Sequence, residues 1–275
     1  MNPQHIILFH YFGQILKRAA DEQIDIIPLK GAHLLTTVYG DENRGPMADV
    51  DFMVRDSDWQ KTIILMEQLE FTQRELPFTE IDTHEIGFNM ALGGDKKILI
   101  ELHRFLFNPE RFYIDHDALW GRAYKSTFDN ISRMRMADED IFCHIAFHGA
   151  IHRLMQMKRA LRDLELLLKH TDLSPLLIAE RAKEWECTRA VWFFLELLKD
   201  KIDKPGLSEA ISSIKPPYHI RIALLALVKD GEQTRITSLH HRSQAAIIWP
   251  LMFDTKKQLI KMLAHHPVSP LKTGI

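Results

Sequence analysis

Cysteine is scarce in this chain: Cys143 and Cys187 are the two examples in 275 residues. Both sit in apolar stretches with helical patterning and share no metal-type spacing. That excludes a cysteine-built metal module and leaves buried thiols. Long apolar runs are missing too, since none reaches the roughly 20 residues that a bilayer span needs. The N-terminal stretch MNPQHIILFHYFGQILKRAADEQ lacks a basic n-region and a small-residue cleavage site. Its apolar positions are interrupted by Gln4, His5, His10, Gln14 and Lys17. A cytoplasmic protein with no membrane partner is expected. Charge of one sign is also lacking: the net value is -2 and the pI about 6.7. The global basicity of a general nucleic-acid binder is therefore absent, which leaves room only for a local basic patch. Internal repeats and low-complexity tracts are absent as well.

What is present is an ordinary globular composition, 46% hydrophobic and 26% charged, over a length that supports one large core or two modest domains. Residues 3–23 pattern as a helix, 24–29 as a short β-branched strand, and 32–39 as a second helix behind Gly31. Residues 41–47 read as a loop. A strand over 49–54 and a helix from Ser57 or Asp58 to about Leu69 follow. Strands over 84–92 and 97–105 flank a Gly93-Gly94-Asp95 hairpin signal. Beyond about residue 137 helical periodicity dominates, over 138–169, 174–202 and 216–229. The fold class is α+β: a small mixed-sheet domain over 1–115, then a mostly helical domain over 116–275.

Three short segments carry chemistry. In Ala48-Asp49-Val50-Asp51-Phe52-Met53-Val54, strand alternation puts Asp49 and Asp51 on one face and Val50, Phe52 and Val54 on the other. Two carboxylates so placed repel, and a cation between them relieves the repulsion. A solvated strand start is the plain alternative. In Ile98-Leu99-Ile100-Glu101-Leu102-His103, Glu101 and His103 share a face opposite the aliphatic residues. Should this strand neighbour the first, Glu101 completes a cluster of hard oxygen ligands suited to magnesium or manganese. An exposed edge-strand Glu is the alternative. In Leu29-Lys30-Gly31-Ala32, a strand opens into a helix. Gly31 permits close backbone approach and Lys30 offers a point charge for a phosphate, although a plain strand-to-helix turn reads the same way.

Together these segments resemble the DNA polymerase beta-like nucleotidyltransferase superfamily, with its turn opening a helix, its Asp-x-Asp strand and its third acid on an adjacent strand. More closely, the chain resembles the bacterial family described as uncharacterised nucleotidyltransferases. The resemblance rests on Leu29-Lys30-Gly31, Arg44, Asp49 to Val54, and Glu101-Leu102-His103. It continues through His148, His152, Arg159 and Asp163, and covers roughly residues 25–170. It departs from the superfamily at Ala32, where a serine hydroxyl is usual. The resemblance implies two-metal transfer of a nucleoside monophosphate from a nucleoside triphosphate to an acceptor hydroxyl on a small molecule, a protein or an RNA end. Asp49, Asp51 and Glu101 would be the catalytic and metal-holding acids, with Mg2+ or Mn2+. Lys30, Gly31, Arg44, His148 and Arg159 would meet the nucleotide or its phosphates.

Other readings stay open. A catalytically silent relative would serve as a regulatory or antitoxin-type binding module. His144, His148 and His152 recur every four residues, a stripe that fits a zinc site, a cleft wall or core histidines. A phosphohydrolase built on His144, His148 and Asp163 would follow from the first of these. Arg153, Lys158, Arg159 and Arg162 fit either a triphosphate clamp reaching over from the helical half or a solvated face paired with Asp163 and Glu165. The doublets His240-His241 and His265-His266 read as surface features.

Overall fold

The computed structural model describes residues 3–39, 47–74, 84–93, 96–229, 233–235, 239 and 241–264. Arg44, Gly94, Asp95, His240, His265 and His266 lie outside them. The first half runs α1 (Pro3–Asp21), β1 (Ile27–Pro28), α2 (Lys30–Leu35), β2 (Asp49–Met53), α3 (Trp59–Gln68), β3 (Thr72–Gln73), β4 (Glu85–Gly93) and β5 (Lys96–His103). Next come α4 (His116–Arg122) and a ribbon of β6 (Tyr124–Phe128) and β7 (Ile131–Arg135). The helical half holds α5 (Asp138–Ile151), α6 (Met157–His170), α7 (Pro175–Glu184), α8 (Thr188–Leu198), α9 (Leu207–Ser213) and α10 (Tyr218–Ala226). A small pair, β8 (Val228–Lys229) and β9 (Gln233–Thr234), precedes α11 (His241–Met252) and α12 (Lys256–Ala264).

The main sheet has the order β1-β2-β5-β4-β3. β2 and β5 are parallel, and the other pairings are antiparallel. Alternation sorts the two faces. Val50, Phe52, Ile100, Leu102 and Phe88 join Phe12, Ile15 and Leu16 of α1 and Leu65 and Met66 of α3 in one core. Met53, Ile27, Leu29 and Leu34 join a second core that runs on through Phe107, Phe112 and the helices from α5 onward. The acid-bearing face of the sheet is therefore the one turned toward the helical half.

Several boundaries depart from the sequence reading. The first strand pairs only at Ile27 and Pro28, and the Leu29 N–H beyond it donates to the Asp51 carbonyl at 2.9 Å. The second helix is six residues long and begins at Lys30. The helix expected over 138–169 is two, α5 and α6, parted by Arg153 and Leu154 at φ 57 and 58°. Buried Leu154 pins that corner, its N–H donating to the Gly149 carbonyl. The one expected over 174–202 breaks likewise at Glu186, φ 51°. The β6–β7 ribbon was not anticipated at all. Asp129 and Asn130 form its turn, both with positive φ, 48 and 63°, the two-residue geometry that suits strand twist. The ribbon packs back on the first half: Met134 N–H donates to the Ile26 carbonyl at 2.9 Å, and Phe128 lies 5.3 Å from Phe9.

Candidate active site

The parallel pairing of β2 with β5 sets Asp51 directly beside Glu101 and Met53 beside His103. All four side chains share one face of the sheet, with Asp49 one step earlier on the same face. Asp51 is 5% exposed and His103 2%, so both are withdrawn from solvent. Asp51 is also the hub of the polar contacts. Its Oδ1 accepts from Lys30 Nζ at 2.8 Å and lies 3.2 Å from His103 Nε2. The other ring nitrogen of His103 lies 3.4 Å from Glu85 Oε2, from the neighbouring β4, and Nε2 stands 4.0 Å from Glu101 Oε2. Lys30 reaches Asp51 from a turn in which its own φ is 41°, a left-handed conformation costing about 1–2 kcal/mol for a side-chain-bearing residue.

The charges of this group are interdependent. Burial raises the Glu101 carboxyl, and the charge and hydrogen bond of Asp51 raise it further, to about 8. Burial acts upward on Asp51 also, but Lys30, His103 and the proton of Glu101 outweigh it and hold Asp51 well below the usual carboxylate range. The Asp49 carboxyl is pushed up by burial and by the charge of Asp51. Burial would lower the Lys30 ammonium, yet Asp51, Glu101 and Glu85 bring it to about 12. The result is one firmly ionised acid, one firm cation and a neighbouring carboxyl that keeps its proton at neutral pH.

A cleft of about 260 Å³ opens on this group. Lys30, Glu85, Glu101 and His103 form its floor, and His84 lies beside them. The segment after β5 supplies one wall through Phe107, Asn108, Arg111 and Phe112, and the end of α5 supplies the other through His148, Ile151 and His152. His148 and His152 stack on each other with ring centroids 4.1 Å apart.

The expected residues therefore scatter in an instructive way. Asp51 and Glu101 come together, and with His103 they offer ligand atoms that all lie within 4.8 Å of one another. Asp49 stands outside that trio. Lys30 faces Asp51, and Gly31 is buried at the start of α2. His148 lines the cleft. Arg159 does not: it follows the corner at residues 153–154 and donates to Gln156 Oε1 at 3.3 Å on α6. Arg162 sits 5.8 Å from the Tyr39 ring, and Asp163 is taken up by the Tyr39 hydroxyl at 2.6 Å. His144 is fully buried and packs against Phe107 at 5.3 Å. Among the described residues, His144, His148 and Asp163 form no ligand group. Sequence reasoning put His103 on the acidic face without giving it a role. It missed Glu85, whose place opposite His103 depends on strand register, and Arg111, which a loop delivers.

Both cysteines are buried. Among the described residues no helix is long and apolar enough to cross a membrane.

A mixed five-stranded sheet bearing acids, backed by helices and facing a cleft, defines an α+β protein. The family described as uncharacterised nucleotidyltransferase matches residues 3–201, and the chain belongs to it. Among solved structures, the chain is similar to an antigenic nucleotidyltransferase-like protein from Paracoccidioides brasiliensis. The two are 16% identical, with 73% of this chain and 89% of that one covered and a TM-score of 0.43. No curated protein matches the chain.

Proposed function

We propose that the chain transfers a nucleoside monophosphate from a nucleoside triphosphate to an acceptor hydroxyl, with magnesium or manganese held at Asp49, Asp51 and Glu101. The observation that carries this reading is the register of β2 on β5, which lays Asp51 beside Glu101, a residue that lines the cleft. The donor set fits a divalent cation: hard carboxylate oxygens, with the His103 imidazole near enough to join them. Burial and the neighbouring charge of Asp51 hold the proton on Glu101, and a divalent ion relieves the repulsion between the two acids. Bound there, the metal supplies charge neutralisation for the reacting phosphate and for the departing pyrophosphate.

The residues' own parts follow from their surroundings. Lys30 and His103 hold Asp51 ionised and fixed in place. Glu101, less buried than Asp51, would give up its own proton when a metal binds, and its carboxylate then takes the proton of the acceptor hydroxyl as that oxygen bonds to the α-phosphorus and the bond to pyrophosphate breaks. The cleft walls exclude bulk water from the exchange. The acceptor is a small molecule, a protein or an RNA end.

The test is incubation with each of the four common labelled nucleoside triphosphates and Mg2+ or Mn2+, alone and with cell lysate, followed by tracking of the label. Label is expected in an acceptor with the wild-type chain and not with Asp51→Asn, which keeps the side chain's shape. Full turnover by Asp51→Asn at saturating metal would refute the mechanism. No transfer by the wild type under any condition would favour the silent binding module.

A further inference from the structure

A nucleoside triphosphate brings several negative charges into a cleft whose floor is already acidic, so the cations facing that cleft decide where the phosphates lie. Among the described residues that line it, each basic side chain but one is engaged. Lys30 is bound to Asp51. His103 lies between Asp51 and Glu85, and His84 Nε2 is 3.5 Å from Glu85. His148 is held neutral by burial and by the nearby charge of Lys30, and His152 is stacked on it. Arg111 differs. Its side chain forms no ion pair among the described residues, and its Nε is buried without a hydrogen-bond partner while the residue lines the cleft.

The placement of Arg111 is built. Asn108 turns the chain, its carbonyl accepting the N–H groups of Arg111 and Phe112, both at 3.0 Å, and its side chain accepting that of Glu110 at 2.8 Å. Phe107 and Phe112 anchor the segment on either side of the turn: Phe112 packs 4.9 Å from Phe147 and 5.6 Å from Phe253. Lys261 of α12 holds the Glu110 carbonyl from behind. A half-buried guanidinium without an acid, fixed on a pinned turn at a cleft wall, is a ready fork for a phosphate.

We propose that Arg111 is the anchor for the polyphosphate end of the substrate, the part that leaves as pyrophosphate. Its planar fork takes two non-bridging oxygens of the terminal phosphates while the α-phosphate lies over Asp51 and Glu101. The role expected of Arg159 falls to a residue on the opposite wall. The inference rests on the reading of the cleft as a nucleotidyl-transfer site, and it names the feature of the substrate that the site grips: a chain of phosphates, whichever base is attached.

Titration calorimetry with inorganic tripolyphosphate and Mg2+ tests this on the full chain, and the four nucleoside triphosphates run alongside separate grip on the phosphates from grip on the base. Wild type is expected to bind tripolyphosphate. Arg111→Ala should weaken that binding at least about tenfold, the range for losing a charge-assisted bond. Arg111→Lys should recover part of it, having the charge without the fork. Thermal melting identifies any variant that fails to fold, and Arg111→Lys then carries the comparison. Unchanged tripolyphosphate affinity in a folded Arg111→Ala or Arg111→Lys variant overturns the inference, even where wild type transfers label. Arg111-dependent tripolyphosphate binding supports it, even where no transfer is found and the enzymatic reading falls.

Discussion

At the scale of single residues, Glu101 carries a pH signature. Its carboxyl rises from 4.5 to about 8 on folding, so between those values the folded chain binds a proton that the unfolded chain has released. Stability then falls as pH rises through the window, because the unfolded state binds fewer protons. The metal-free protein is expected to melt at progressively lower temperature from pH 5 to pH 8. Glu101→Gln should flatten that slope, and an equally steep slope in the variant would place its origin elsewhere. Cation binding should run the other way. A metal displaces the Glu101 proton, so Mn2+ affinity measured by titration should strengthen toward pH 8. Alternation alone made the faces of Asp51, Glu101 and His103 legible. It could not say that Lys30 turns back onto Asp51, since that contact depends on a left-handed backbone at a lysine, where sequence gives no reason to expect one.

Among the elements, Asp140 ties three helices together. It lies fully buried in the first turn of α5. Arg122 of α4 donates to it through Nε at 2.9 Å and Nη2 at 3.1 Å, and Arg181 of α7 sits 2.8 Å away. Removing the acid leaves two guanidinium groups facing each other over a buried gap, Arg181 mostly covered and Arg122 a quarter exposed. Asp140→Ala is therefore expected to lose about 3–5 kcal/mol of stability in urea unfolding. A loss under about 1 kcal/mol would mean that water reaches the pair. The element pattern also shows where sequence reading stopped. β2 and β5 were legible from alternation because one face of each is wholly apolar. The corner at Arg153 and Leu154 contains neither glycine nor proline, so nothing local marked it. Yet that corner turns the chain into α6, whose Arg159 is not among the residues lining the cleft. The Asp129-Asn130 turn was legible in principle, since both residue types tolerate positive φ.

For the whole molecule, packing is continuous across residue 115, where the sequence reading set a domain boundary. Ile27, Leu29, Leu34, Met53, Phe107 and Phe112, all before it, belong to the same core as the helices after it. The β6–β7 ribbon crosses in the other direction. A fragment of residues 1–115 is therefore expected to expose that apolar face, bind a hydrophobic dye and unfold without a sharp transition, whereas the full chain melts in one step. Cooperative melting of the fragment with native-like tryptophan fluorescence would show instead that the sheet unit stands alone.

The brace behind Arg111 comes from Phe253 and from Lys261 on α12, and both lie past residue 201, where the shared family signature ends. Arg111 and the rest of the cleft lining fall within the matched stretch together with the acids, while this brace reaches them from beyond it.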